Sequence, residues 1–404
     1  MTKGGQSTEK DSSCFNIIKF RIKMCSTTTG TANQENNQKL VEACEKQDLS
    51  LVKKLISEGA QANFVHKKDG TWGAYEKYSV LHVAINSLPT DENTTSKQKE
   101  DWREIIKVLL KNGANPNETK ASYDWRGCGS ENTTFELLCY QTERPDPDLL
   151  SSFLESGLNP DLAQVQDIHS MRTDGQIKTH MLPDFAGSGN IECVISLLNS
   201  GANIEIRDTE SITNERGYQE EKSKTALHVA ASGNQIEICI LLLAKGADIN
   251  AVEYHLDSVM DEDIVKQNTT DDPRDETYKN PWKITPIECT SIHLAIGNEN
   301  FDLAKFLLIC GADTSIPYKK GDTNIKTEDW HKLEASKPKT LAEKTNSELL
   351  HQALINNLDM NDSIVSMPLD FKIKIEKTFD RIQELGWNFD TCHFQEISNA
   401  LKHS

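Results

Sequence analysis

The sequence predicts an all-α fold, a solenoid of stacked helix-turn-helix units whose connections are drawn out into extended hairpin fingers. Three observations predict it. A glycine closes apolar helix patterns at Gly59, Gly113, Gly157, Gly201, Gly246 and Gly311, mostly followed by Ala-Asn or Ala-Asp. A short opening motif recurs as Ser79-Val80-Leu81-His82, Thr225-Ala226-Leu227-His228 and Thr290-Ser291-Ile292-His293. Between each closing glycine and the next opening lies a long polar stretch.

The closing glycine has a simple cause: a helix ending in a left-handed residue needs no β-carbon there, and the Asn or Asp that follows suits a turn. Residues 225–250 read TALHVAASGNQIEICILLLAKGADIN. With its opening motif, first helix, Gly-Asn turn, second helix and G-A-D-x-N ending, this segment resembles the consensus of the ankyrin-repeat family. The resemblance implies that Thr or Ser caps the first helix of each unit, that His ties neighbouring turns together, and that the protein binds another macromolecule. Degenerate openings at Thr133-Thr134-Phe135-Glu136 and Met181-Leu182-Pro183-Asp184 depart from this pattern, and Glu136 and Asp184 are expected to weaken the local ties.

Three regions follow in chain order. Residues 1–37 form a tail in which Phe20, Ile22 and Met24 alternate with Lys19, Arg21 and Lys23. That period of two suits a strand, a basic segment touching a membrane surface or partner, or an edge strand added to the first finger. Residues 38–358 form the repeat array with both caps. Gln38 to Glu58 gives a helix pair without an opening motif, and residues 337–354 echo a last repeat with polar Lys339 where a core Leu usually sits, as a wet terminal face requires. Residues 359–404 read as C-terminal helices, a degenerate last repeat packed on the array, with an amphipathic helix from Phe371 to Leu385 and a worn repeat ending at Leu385-Gly386-Trp387.

Spacing then locates the functional surface. Closing glycines are 54, 44, 44, 45 and 65 residues apart, against about 33 for an unadorned unit. Nearly all the surplus lies in the fingers, apart from a polar stretch at 87–101 between two helices. Five lengthened fingers in a row predict a built-up surface on one side of the solenoid. Candidate partner-binding residues are its aromatic and guanidinium groups: Trp72, Tyr75, Tyr78, Tyr123, Trp125, Arg126, Tyr254, Trp282, Tyr318 and Trp330. Such side chains bury large area at small entropic cost, and equally they can lock adjacent fingers to one another. The fifth finger carries nine acidic residues between Glu253 and Glu276, which reads more as a disordered, solubilising loop than as a trap for a basic peptide. The family resemblance also implies a candidate hydroxylation at Asn250, in the setting Leu242 to Asp248-Ile249-Asn250.

Composition sets limits on function. A net charge of -18 disfavours nucleic acid, which needs gathered Lys and Arg, and points to a protein partner of basic or mixed charge. No stretch has the length and apolarity of a membrane span. Residues 1–14 lack the pattern of a secretory signal, and the ten cysteines are scattered without a C-x-x-C pair; a cytoplasmic monomer with reduced thiols is expected. His82, His228 and His293 belong to the repeat motif rather than to a catalytic constellation, and no phosphate-cradling loop, H-E-x-x-H or nucleophile elbow is present. No cofactor and no metal are assigned, and Asp261, Asp263, Asp271 and Asp272 do not follow a calcium-loop pattern. The expected function is an interaction module or adaptor that binds through a concave face and finger loops. The alternative is a bacterial effector or modifying enzyme that uses its repeats to select a substrate.

Overall fold

A computed structural model describes residues 32–69, 75–89, 94–123, 129–141, 146–170, 173–268, 279–327, 368–387 and 397. Among them six helix pairs follow one another: α1 (Ala32–Glu45) with α2 (Leu49–Ser57), α3 (Val80–Asn86) with α4 (Ser96–Lys111), α5 (Thr134–Gln141) with α6 (Pro147–Glu155), α7 (Met181–Ser188) with α8 (Ile191–Asn199), α9 (Ala226–Ser232) with α10 (Ile236–Ala244), and α12 (Ser291–Gly297) with α13 (Phe301–Ile309). A short α11 (Glu262–Gln267) lies inside the fifth finger, and α14 (Leu369–Glu384) follows the array. All six closing glycines sit at positive φ, from 83° at Gly201 to 96° at Gly311, a region that side chains with a β-carbon rarely enter.

The helices share one apolar seam that runs from Leu40 to Ile397 without interruption. Rings join it within and between units: Phe135 meets Phe153 of its own pair and Phe185 of the next edge to face, at 5.9 and 6.2 Å. The opening motifs act as capping boxes. Ser79, Thr225 and Thr290 place their hydroxyls 2.7, 2.7 and 2.9 Å from Nδ1 of His82, His228 and His293. The other ring nitrogen then reaches the next unit, at the Ala251 carbonyl for His228 and at Thr327 Oγ1 for His293.

The two degenerate openings are not loose. Glu136 accepts from the Thr133 backbone N–H while its own N–H donates to Thr133 Oγ1, so Thr-x-x-Glu rebuilds the reciprocal cap with a carboxylate in place of imidazole. At the fourth unit, Asp208 from the following finger accepts from the His180 N–H at 2.7 Å. The local cap is thus rebuilt at Glu136, while at the fourth unit His180 has no side-chain cap hydrogen bond and the tie comes from Asp208 instead of Asp184.

The all-α expectation is overturned. Twelve described strands join into two antiparallel sheets, one of four strands in the order β1-β2-β3-β4 and one of eight in the order β12-β11-β10-β9-β8-β7-β6-β5. The hairpins are β1 (Val65–Asp69) with β2 (Tyr75–Ser79), β3 (Thr119–Tyr123) with β4 (Gly129–Thr133), β5 (Ala163–His169) with β6 (Thr173–His180), β7 (Arg207–Asn214) with β8 (Gln219–Thr225), β9 (Val252–Met260) with β10 (Trp282–Thr290), and β11 (Tyr318–Lys320) with β12 (Thr323–Ile325). The cause is a match of spacings. Packed helices stand about 8–10 Å apart, and two strands side by side occupy about 9.5 Å. Each unit therefore delivers one hairpin in step with its neighbours, and unpaired edges at that distance close into a ladder.

The fifth finger is likewise ordered where it is described. Its acidic stretch forms β9 and α11, with Asp261 capping the helix by accepting from the Asp263 and Ile264 N–H groups. The disordered loop expected there is not found over 252–268. Helix α14 lies across α10 and neighbours it at both ends, with Phe371 meeting Phe306 of α13 at 6.4 Å and Trp387 Nε1 donating to Asn199 Oδ1 of α8 at 2.8 Å. It covers an element that needs covering, since α10 is buried at eight of its nine positions, Ile236 and Ile238 to Ala244.

Candidate functional site

The eight-stranded sheet has two faces whose membership follows from register. On one, Ile287, Cys289 and Tyr318 are buried and pack with Leu294 of α12, so this inner face looks toward the first helix of the sixth pair. His255, Asp257 and Val259 of β9 share it, as do Lys222 and Lys224 of β8 and Asp208 and Glu210 of β7. The outer face carries Tyr254, Met260, Trp282 and Glu288.

Polar side chains stitch the fingers together. On the inner face Lys222 pairs with Glu210 at 3.0 Å and with Glu220, and Lys320 of β11 reaches over β10 to Asp257 of β9 at 2.8 Å. On the outer face Lys319 pairs with Glu288 at 2.6 Å. Arg207 ties the fourth finger to the fifth by donating to the Val252 carbonyl at 2.9 Å. In the four-stranded sheet Lys77 and Glu118 pair across neighbouring fingers at 2.5 Å. Each such pair is worth little alone at a surface, but a row of them fixes strand register.

The aromatic candidates fall into different places. Trp282 meets Tyr218 edge to face at 4.8 Å, joining the fourth and fifth fingers. The Tyr218 hydroxyl donates to Glu220 at a short distance, and that hydrogen bond, ahead of burial, pushes the phenol up to about 12. Tyr318 is buried against Ile287 and Cys289, with its ring 6.0 Å from His293. Tyr78 is half-buried and stacks on His66 at 4.9 Å, its phenol pushed up by burial. Tyr254 is half-buried on the outer face opposite Glu288 and Ser223. Tyr75 is exposed and stands opposite the backbone of Tyr123, whose side chain is outside the described residues. Trp72, Trp125, Arg126 and Trp330 also lie outside them.

Asn250 occupies a turn that repeats along the array. Its Oδ1 accepts from the Asp313 N–H at 2.8 Å, as Asn117 accepts from Asn159 and Asp161 from Asn203 in earlier units. The side chain thus helps hold successive fingers in step.

Sequence reasoning overlooked exposed apolar side chains on the fifth finger, Val259 on its inner face, Val252 and Met260 on its outer face and Val265 on α11. Val252, Val259, Met260 and Val265 are exposed by 37, 56, 48 and 41%, and Met260 stands directly opposite Trp282. The signal was present as Val-Met at the end of an acidic stretch, but acidic composition concealed it.

With this geometry in hand, similarity to known proteins can be placed. A family model of ankyrin repeats matches residues 137–253 in three copies. No curated relative matches the chain. Among solved structures, the crystal structure of the human ASB11 ankyrin repeat domain is similar over 77% of this chain and 96% of that one, at 17% identity and a TM-score of 0.38, a level that carries no functional inference.

Proposed function

We propose that this ankyrin-repeat protein is an interaction module that takes a protein partner against its finger sheet and the exposed apolar side chains of the fifth finger. The observation that carries the reading is the exposed pair Val259 and Met260 at the far end of β9, one on each face of the sheet, with Met260 directly opposite Trp282 and Val265 exposed on the adjoining α11. Exposed apolar side chains on a rigid element, rimmed by charge, are what a binding hot spot requires. The acidic surface around them, within a net charge of -18, favours a partner of basic or mixed charge and speeds its approach at low salt.

Binding rather than catalysis is the reading because the buried His82, His228 and His293 are engaged in capping boxes and His180 is held by Asp208. Among the described residues no helix is long and apolar enough to cross a membrane; a cytoplasmic monomer is the setting proposed for the module. The aromatic groups divide between two roles in this proposal, with Trp282 and Tyr318 bracing the fingers and Tyr75 and Tyr254 open to a partner.

The test is quantitative affinity capture with the whole chain against Val259→Ser combined with Met260→Ser. Capture of the principal partner is expected to fall by at least about tenfold, the effect of losing a hot spot, with an unchanged melting curve. Equal capture by both proteins would remove the fifth finger from the binding surface.

A further inference from the structure

Three side chains of different chemistry converge at the base of the fifth finger. Glu253 of β9 stands directly opposite Cys289 of β10, and His255 lies two residues along on the same inner face. Glu253 and Cys289 are 2 and 1% exposed. One ligand atom from each of the three lies within 4.8 Å of the others, and His255 Nδ1 is 3.3 Å from Glu253 Oε1. His255 is thus paired with Oε1, yet Glu253 Oε2 is shut away from solvent without a hydrogen bond. Lys224 approaches Oε1 at 3.7 Å, which balances charge but leaves the second carboxylate oxygen bare. A buried carboxylate oxygen with no donor is costly and calls for a positively charged neighbour.

We propose that Glu253, His255 and Cys289 form a binding site for a zinc-class divalent cation that clamps β9 to β10. Thiolate, imidazole and carboxylate are the three donor types such a cation takes in a tetrahedral shell. Sulfur selects against magnesium and calcium, which prefer oxygen alone. Three protein ligands leave a fourth position for water or for a side chain of a partner seated on the inner face. On binding, the Cys289 S–H bond breaks, its proton goes to solvent, and a sulfur–metal bond forms. Deprotonation there is coupled to arrival of the cation. The Lys224 ammonium competes for Glu253.

Metal-stripped full-length protein is titrated with Co2+ and read by its thiolate-to-cobalt charge-transfer absorption. One equivalent per chain is expected. Cys289→Ser abolishes the band, and Cys310→Ser, which alters a buried cysteine elsewhere, retains it. His255 is only partly buried, so His255→Ala keeps the helical circular dichroism and weakens binding by at least about a hundredfold, beyond the effect of an outer-shell change. Lys224→Met tightens it. Absence of the band, or a band of equal strength and affinity in Cys289→Ser and His255→Ala, overturns the site; so does a Lys224→Met protein that melts lower and binds no Co2+, which would mark Glu253 as half of a structural ion pair.

Discussion

At the openings of the second, fifth and sixth helix pairs a hydroxyl and an imidazole three residues apart close the helix start, and burial holds that imidazole neutral. His82, His228 and His293 are each brought down to about 4, with desolvation as the leading cause. In the unfolded chain they titrate near 6.5, so between those values unfolding takes up protons and stability rises with pH. Their contribution is complete above pH 6.5 and is lost as the pH falls toward 4. Asp208 acts in the opposite sense, because burial pushes its carboxyl up to about 7 and it takes a proton earlier in the folded state. His180 is also held down, and Asp184 and Glu45 are also pushed up, by burial. The three large imidazole shifts predict a melting temperature that drops from pH 7 to pH 4, measured by circular dichroism, with a shallower slope in His228→Gln. A flat profile would mean that the imidazoles stay solvated. A second residue-scale prediction concerns close packing of α7 on α9. A β-carbon on Gly187 would stand 2.6 Å from Val229 Cγ1, so Gly187→Ala should cost about 1–3 kcal/mol in denaturant melts. Val229→Ala in the same chain should return part of it.

Among the elements, α14 and α10 depend on each other. The sequence makes α10 apolar nearly all round and α14 amphipathic, with Phe371, Ile375, Phe379 and Ile382 buried on one side. Phe371→Ala is expected to lower stability by about 3 kcal/mol and to speed amide exchange in α10 while α3 and α4 stay protected; uniform protection would place α14 off the array. Helix pairs were legible because their signals are local: a left-handed glycine, an apolar period and a hydroxyl cap are each written within a few residues. The capping role of Glu136 was equally local and was missed only because it was compared with histidine instead of being read as Thr-x-x-Glu. The sheets were not legible, since pairing between β8 and β9 or between β10 and β11 joins different units and depends on the pitch of the helices beneath. The same reason hid the contact of Trp282 with Tyr218, whereas Cys289 and Glu253 meet within one hairpin whose strands lie far apart in the chain. The exposed Val259 and Met260 were readable, but their meaning required knowing that the finger is ordered.

For the whole molecule, stacking turns a row of marginal hairpins into one surface. A two-stranded hairpin alone is barely stable in water, whereas here each hairpin from β5 to β12 borrows edges from its neighbours over an eight-stranded ladder. Its surface is charged with both signs and cross-linked by pairs such as Lys222 with Glu210 and Lys320 with Asp257, so added salt should loosen the finger tips before it affects the helical seam. Fusion of the fingers is what makes the proposed binding face stable, and amide hydrogen exchange on the intact chain measures it most directly. Protection in β6 to β10 approaching that of α7 to α10 is the predicted result. Finger amides that exchange at the rate of free peptide, while the helices beneath remain protected, would contradict it.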